Sequence, residues 1–472
     1  MPYIKFGTSG WRGILCDDFT MDTVRVVIQA IADHLHDQGR AEQGVVVGYD
    51  ARFMGRDFAR EAVRVLAGAG VKAFLCDRDV PTPVIAHELL RRKAAGAVNF
   101  TASHNPYDYN GVKFSDVTGG PALPETTRDI EKRANAMLGV IVARDMPLNI
   151  ADEMGLFEFI DPRGDYFKTI QELVDFKAIA DSGIKIAVNP LYGSGRGYLD
   201  RLLSEAGVEI VTFNDHVDPY FGGHPPEPAE EHIHDFISLV SEDPSISLGL
   251  ATDGDADRFG ILDGDGTYIE PNYILALLFD YLIRRKGLTG DAARSVATSH
   301  LLDAVAAHHG VKVLETPVGF KYIGEYITEG RILIGGEESA GMSVRGHVPE
   351  KDGVLACLLT AEMVAVEGRT LQELLTDLYQ RVGEFYTKRI NIRLSADLVD
   401  GLDAKFAAEP QEIGGHAVAS INRTDGNKYL FADGSWLLFR KSGTEPVVRL
   451  YAEAGSKEVL NRLIAAGQAF LS

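Results

Sequence analysis

The sequence predicts an α/β protein built of three similar units, each a mostly parallel sheet sandwiched by helices, followed by a smaller C-terminal α+β domain. Three observations predict it. The chain has 472 residues, enough for several domains at roughly 100–200 residues each. The order strand, helix, strand, helix, strand occurs three times and ends each time in a polar loop. From Gly383 onward the pattern changes to short alternating strands with a hairpin turn. The expected boundaries are 1–150, 151–266, 267–382 and 383–472.

In the first unit, helices are expected over 21–36, 57–69 and 84–92, with strands at 45–49, 71–76 and 97–100. Phe58, Ala62, Val65, Leu66 and Ala69 fall at helical spacing. The second unit has strands at 184–188, 208–213 and 247–252 and helices over 195–205 and 229–240; the third has strands at 295–298, 311–315 and 332–334 and helices over 302–309 and 321–328. Little sequence identity links the units, so the repeat is one of pattern. Such sheets carry their sites at the strand ends, and three loops after corresponding strands point to one shared site. In the tail, 388–394 alternates like a strand, Asp425-Gly426-Asn427-Lys428 reads as a hairpin turn, and strands at 429–431, 436–439 and 447–451 precede a closing helix.

Composition narrows the function. Apolar residues make up 45% and charged residues 24%, values of an ordinary folded chain. A net charge of −21 repels nucleic acid and acidic membranes, so neither is an expected partner. An anionic small molecule would need its own local cations. Cys16, Cys76 and Cys357 are too far apart in sequence for a disulfide framework or zinc site. The N-terminus lacks a signal-peptide pattern, and the apolar run 273–283 is short and broken by Asp280, so a cytoplasmic location is expected. The oligomeric state is not legible.

The stretch Thr101-Ala102-Ser103-His104-Asn105-Pro106, continued by Asn110-Gly111-Val112-Lys113, sets a hydroxyl beside an imidazole in a turn that closes with a lysine. A serine hydroxyl needs a base or a field to activate it, and a phosphate arriving there needs cations; His104 and Lys113 are the candidates. Asn-Pro and Asn-Gly are also ordinary turn chemistry, so these residues alone leave a plain surface loop open. In Asp253-Gly254-Asp255-Ala256-Asp257-Arg258 the carboxylates alternate, so an extended backbone puts all three on one side, where their repulsion calls for a hard cation such as Mg²⁺. A calcium loop is excluded, because its sixth and twelfth positions would be Arg258 and Gly264 instead of glycine and glutamate. A haloacid-dehalogenase-type site with Asp253 as nucleophile stays open. Gly7-Thr8-Ser9-Gly10-Trp11-Arg12-Gly13 and Arg440-Lys441-Ser442-Gly443-Thr444 combine glycine amides with a guanidinium, the parts of an anion cradle or of a simple bend. Gly336-Glu337-Glu338-Ser339 suits sugar hydroxyls or a turn, and Lys321 follows a turn as a lone cation.

Taken together and in this order, these strings resemble the α-D-phosphohexomutases, the phosphoglucomutase and phosphomannomutase family. T-A-S-H-N-P with N-G-x-K resembles its active-serine loop, G-T-S-G-x-R-G its N-terminal segment, D-G-D-A-D-R its metal loop, G-E-x-S its sugar loop and R-x-S-G-T-E-P its phosphate loop. The resemblance spans nearly the whole chain and implies four domains around a central cleft. It implies that Ser103 carries a phosphoryl group, with Arg12, His104, Lys113 and Lys321 at the catalytic centre. Asp253, Asp255 and Asp257 would hold one Mg²⁺. Arg258, Glu337, Ser339, Arg345 and His347 would contact a hexose phosphate, and Arg440, Ser442, Gly443, Thr444 and Arg449 would bind the phosphate that is not reacting. The implied reaction interconverts hexose 1- and 6-phosphates, with hexose 1,6-bisphosphate as intermediate and activator. Many bacterial members continue G-E-x-S as G-H, whereas Gly341 stands at that histidine position here and Arg345-Gly346-His347 follows, a departure that leans towards glucose. An aspartyl-type sugar phosphatase and a non-catalytic sugar-phosphate binding protein are the rival readings.

Overall fold

The computed structural model describes residues 3–7, 10–140, 143–393, 396–441 and 447–471, and of 396–400 and 403 the backbone alone. The first sheet has seven strands in the order Phe6–Gly7, Gly10–Ile14, Tyr109–Ser115, Gly96–Phe100, Val45–Tyr49, Ala73–Cys76, Phe157–Ile160. Its last four strands run parallel. The period of two along Val45–Tyr49 sends Val45 and Val47 into one core, shared with helices Met21–Asp37 and Gly55–Gly68, and Val46 into the other, with Val84, Ile85 and Leu89 of helix Thr82–Arg92. That second core runs on without a break through the next two domains, as far as Leu378.

The second sheet has the order Tyr268–Ile269, Phe259–Asp263, Ile246–Thr252, Lys185–Asn189, Glu209–Thr212, and the third Val313–Thr316, Asp291–Ser295, Ile332–Glu337, Gly341–Val344. One device recurs in all three sheets. A buried strand (Gly96–Phe100, Ile246–Thr252 or Ile332–Glu337) pairs parallel on one side and then folds back through a short loop into an antiparallel partner on the other. Each loop carries a non-glycine residue in the left-handed region: Ser103 at φ 52°, Ala256 at φ 54° and Ala340 at φ 68°. The C-terminal domain is a six-stranded antiparallel sheet, Tyr386–Arg393, Val447–Ala454, Trp436–Lys441, Asn427–Phe431, His416–Asn422, Glu412–Ile413, backed by helices Ala396–Ala407 and Lys457–Leu471. Among the described residues, no helix is long and apolar enough to cross a membrane.

Several elements differ from expectation for identifiable reasons. The strand expected at 295–298 is Asp291–Ser295. Val296 and Ala297 lie beyond its end and are buried against Trp436, Leu438 and Tyr451, so the apolar run marks a domain interface. Helix 195–205 starts only at Leu199, after Gly197 at φ 76°. The expected helix over 229–240 is a short turn, Glu230–His232, followed by helix His234–Glu242. Strand Phe157–Ile160 belongs to the first sheet, not to the unit expected to begin at 151. Helix Gly353–Glu367, not among the expected elements, is buried on all sides from Gly353 to Val364, which erases the helical period from its sequence.

The C-terminal domain docks through Trp436, which is 1% exposed, donates from Nε1 to Glu453 Oε1 at 2.7 Å and stacks under the Lys428 ammonium. Trp436→Ala is expected to cost about 3–5 kcal/mol, read as a lower urea midpoint for this domain. Leu288→Ala, at an exposed position, should change stability by less than about 0.5 kcal/mol.

Candidate active site

The buried strand Gly96–Phe100 delivers Thr101, whose hydroxyl donates to Asp50 Oδ2 at 2.6 Å and accepts the Ser103 N–H at 2.8 Å. Ser103 sits at φ 52°, a conformation that costs of order 1–3 kcal/mol for a residue with a side chain. The restraint comes from Arg52, whose side chain is fully buried. All five of its guanidinium N–H groups are used: Nε on Asp50 (3.2 Å), Nη1 on the carbonyls of Pro106 (2.7 Å) and Tyr109 (3.0 Å), Nη2 on those of Ser103 and Asn105 (2.6 Å each). Burial pushes the Asp50 carboxyl up to about 6 against the pull of Arg52 and Thr101. Ser103 Oγ donates across the domain boundary to Asp253 Oδ2 at 2.8 Å, and His104 Nδ1 lies 3.4 Å from Ser103 Oγ. Burial, then the charges of Arg258 and Arg12, hold His104 well below its ordinary value, so the ring is neutral at pH 7.

Asp253, Asp255 and Asp257 are all completely buried. Lys113 Nζ bonds Asp255 Oδ2 (2.5 Å) and Asp257 Oδ2 (2.7 Å), Lys351 Nζ bonds Asp257 Oδ2 (2.7 Å), and Thr82 donates to Asp255. Burial and the two neighbouring carboxylates push Asp253 well above the carboxylate range. Asp255 and Asp257 are equally desolvated but are held below that range, Asp255 by Lys113 and Asp257 by Lys113 and Lys351. Asp255 Oδ1 and Asp257 Oδ1 remain buried without a hydrogen-bond partner, and one carboxylate oxygen from each aspartate falls within 4.8 Å of the others. Three clustered oxygen donors, two of them accepting no hydrogen bond, fit a hard dication of the Mg²⁺ type. The loop admits only glycine at 254, where a Cβ would lie 2.9 Å from the Ser103 carbonyl.

The other expected residues divide. Arg12 donates to Asn105 in the serine loop; burial and Arg258 lower it to about 10. Arg258 binds Asp253 Oδ1 through its backbone N–H (3.1 Å), and its guanidinium lies 3.6 Å from Glu227 and 3.9 Å from Asp257 Oδ1, with no hydrogen bond from Nε. Glu337 closes strand Ile332–Glu337 and accepts the Gly319 N–H (2.8 Å); burial, then Glu338, raises it to about 7. Ser339 follows on the same loop, half-buried. Lys321 opens helix Phe320–Thr328, half-buried over the Tyr322 ring, lowered by burial and by Arg128, and has no hydrogen bond to Ser103 or the aspartates. Arg440 and Arg449 stand directly opposite each other on paired strands, two like charges that favour an anion between them; Arg440 Nη2 bonds Asp425 (2.9 Å), whose carboxylate also accepts the Val318 N–H (3.0 Å) beside the third loop. Ser442, Gly443 and Thr444 lie outside the described residues.

Arg345 and His347, expected to contact substrate, are not brought to the cleft. Strand Gly341–Val344 runs away from the loop, so the Arg345 N–H bonds Leu333 at the far end of the sheet and its guanidinium bonds Thr289. His347 is buried on Asp352. Sequence reasoning missed Arg52, Thr82 and Lys351, which reach the site only through tertiary structure. One local signal existed for Lys351. A Cβ at Gly341 would lie 2.3 Å from Lys351 Cδ, so the glycine at the histidine position makes room for the lysine stem.

The chain matches the family models described as phosphoglucomutase/phosphomannomutase α/β/α domain I over residues 3–138, domain II over 164–266, domain III over 270–382 and the C-terminal domain over 390–466. It is 32% identical over 466 residues to a phosphoglucomutase/phosphomannomutase of Thermococcus kodakarensis, covering 98% of this chain and 97% of that one. This chain belongs to the phosphoglucomutase/phosphomannomutase family. A phosphoglucomutase of Komagataeibacter xylinus is 29% identical over 489 residues, 96% of this chain and 87% of the relative. The open form of the Paramecium phosphoglucomutase pp63/parafusin superposes with a TM-score of 0.86 at 25% identity, covering 99% and 94% of the two chains. The enzyme is therefore a phosphohexomutase, an intramolecular phosphotransferase.

Arg52→Lys tests what holds the mutase's serine loop. Lysine offers three donors for five acceptors, and each buried acceptor left unpaired costs about 1–3 kcal/mol. The expected outcome is a lower Tm and a kcat reduced by about tenfold or more, with KM within twofold of wild type.

Proposed function

We propose that this mutase interconverts hexose 1-phosphates and hexose 6-phosphates through a phosphoserine at Ser103 and a hexose 1,6-bisphosphate that turns end for end between two transfers. The observation that carries this reading is the Ser103 hydroxyl, 2.8 Å from Asp253 Oδ2, in a loop where Lys113 and Lys351 reach the other two aspartates. In the first transfer, the P–O bond to Ser103 Oγ breaks as a sugar hydroxyl oxygen bonds the phosphorus, and the hydroxyl proton ends on Ser103 Oγ. The second transfer reverses this with the other phosphate. Neutral His104 carries that proton, a role supported by its 3.4 Å distance from Oγ. Asp253, Asp255 and Asp257 would hold Mg²⁺, which when bound offsets charge on the transferring phosphoryl oxygens. Arg12 and Arg258 face the same charge from the cleft. Glu337 and Ser339 grip the ring hydroxyls, and Arg440 and Arg449 hold the phosphate that is not reacting.

Glucose is the favoured sugar and mannose the next, because Gly341 departs from the G-E-x-S-G-H form. Free hexose 1,6-bisphosphate serves as activator by phosphorylating Ser103. Three free thiols, two of them buried, fit a cytoplasmic enzyme.

The test compares kcat/KM for glucose 1-phosphate, mannose 1-phosphate and glucosamine 1-phosphate, with Mg²⁺ and a trace of glucose 1,6-bisphosphate. Glucose is expected to lead, and Ser103→Ala to lose at least about 10³-fold, as loss of a covalent nucleophile does. Turnover that survives Ser103→Ala but disappears in Asp253→Asn would favour an aspartyl phosphoenzyme instead.

A further inference from the structure

His347 is left without a role once it is excluded from the cleft. Its side chain is fully buried, its Nε2–H donates to Asp352 Oδ2 at 2.7 Å, and its Nδ1 is buried without a partner. The same Asp352 oxygen accepts the hydroxyl of Tyr166 at 2.8 Å, from helix Arg163–Leu173 of domain II. Asp352 Oδ1 caps helix Gly353–Glu367 by accepting the Leu355 N–H at 2.9 Å. One carboxylate thus takes three hydrogen bonds from two domains, with no exposure of its own.

What this anchor holds is the turn carrying Lys351. Asp352 N–H bonds the Met342 carbonyl (2.9 Å), and Gly353 N–H bonds the Ala256 carbonyl (3.1 Å) inside the aspartate loop. The turn is pressed so close that a Cβ at Gly353 would lie 2.2 Å from the Arg258 carbonyl. Lys351 leaves this turn along Gly341 and sets its ammonium 2.7 Å from Asp257. Its direction therefore depends on where the 350–353 backbone sits, and that backbone is held through Asp352.

We propose that His347 and Tyr166 are positioning residues for Lys351: by jointly anchoring Asp352, they hold the 350–353 turn against the aspartate loop and aim the Lys351 ammonium at the phosphoryl-transfer site without touching the sugar. The proposal rests on the Ser103 and aspartate-loop reading above and extends it to two residues outside the cleft. It also replaces the substrate-contact role that the family resemblance implies for His347.

The experiment measures kcat and KM for glucose 1-phosphate in Tyr166→Phe, His347→Phe and His347→Gln, well below each variant's Tm. Active enzyme is counted by phosphate incorporated per chain. Loss of a hydrogen bond to a charged group implies a kcat about tenfold lower in Tyr166→Phe and His347→Phe, with KM within twofold. His347→Gln, whose amide N–H can replace Nε2–H, is expected to regain at least about half of the lost kcat. A raised KM with unchanged kcat in His347→Phe would mean that the histidine grips substrate and would overturn the proposal. So would a kcat within twofold of wild type in both apolar variants, which would leave the cluster a purely structural cap. If His347→Phe does not fold, Tyr166→Phe, which removes a single hydroxyl, decides between the same outcomes. Turnover that persists in Ser103→Ala would strike the underlying reading; wild-type kcat in the Tyr166 and His347 variants with an inactive Ser103→Ala would strike this proposal alone.

Discussion

Three carboxylates confined to one buried loop set the terms for the rest of this molecule. Two unit charges about 4 Å apart repel by roughly 4 kcal/mol at an effective dielectric near 20, and Asp253, Asp255 and Asp257 have no solvent to screen them. The chain meets this constraint by bringing cations and donors from other domains. Lys113, Thr82 and Ser103 come from domain I, and Lys351 comes from domain III. The same contacts hold three domains in one orientation and place the serine hydroxyl against the carboxylate cluster. Two carboxylate oxygens, Asp255 Oδ1 and Asp257 Oδ1, still accept no hydrogen bond. Buried acceptors without a hydrogen bond are uncommon in native folds, and here they lie where a dication would fit.

A second theme is strain held by buried donors. The three hairpin loops each place a non-glycine residue at positive φ, and the serine loop is held by a guanidinium with every N–H in use. Phe221 of domain II packs against the other side of that guanidinium, 5.0 Å from its ring centroid. A hydroxyl fixed in this way would lose little further freedom in a reaction, the entropic advantage of a pre-positioned group.

The three-unit order and the serine, aspartate and glutamate loops were legible because each is a short local string at the end of an apolar strand. Their partners were not. Arg52 and Thr82 sit in a turn and at a helix start whose sequences suit any surface, and only the fold turns them inward. Arg345 and His347 were misplaced for a geometric reason. After Ser339 the chain enters a strand of four residues, and at about 3.4 Å per residue it has left the site by roughly 14 Å. It returns with Lys351. Position along a loop does not reveal which end of the sheet the chain has reached. Likewise, Val296 and Ala297 read as strand because burial in a domain interface and burial in a sheet leave the same apolar signature.

Which side chain carries the phosphoryl group separates a serine mechanism from an aspartyl one. The most direct measurement is mass spectrometric mapping of the phosphate after brief exposure of the Mg²⁺-loaded enzyme to glucose 1,6-bisphosphate and an acid quench. One phosphate per chain, located on Ser103 and stable to acid, is the predicted result. Phosphate on Asp253, or a chain that turns over substrate with no phosphate on Ser103 at any time, would contradict it.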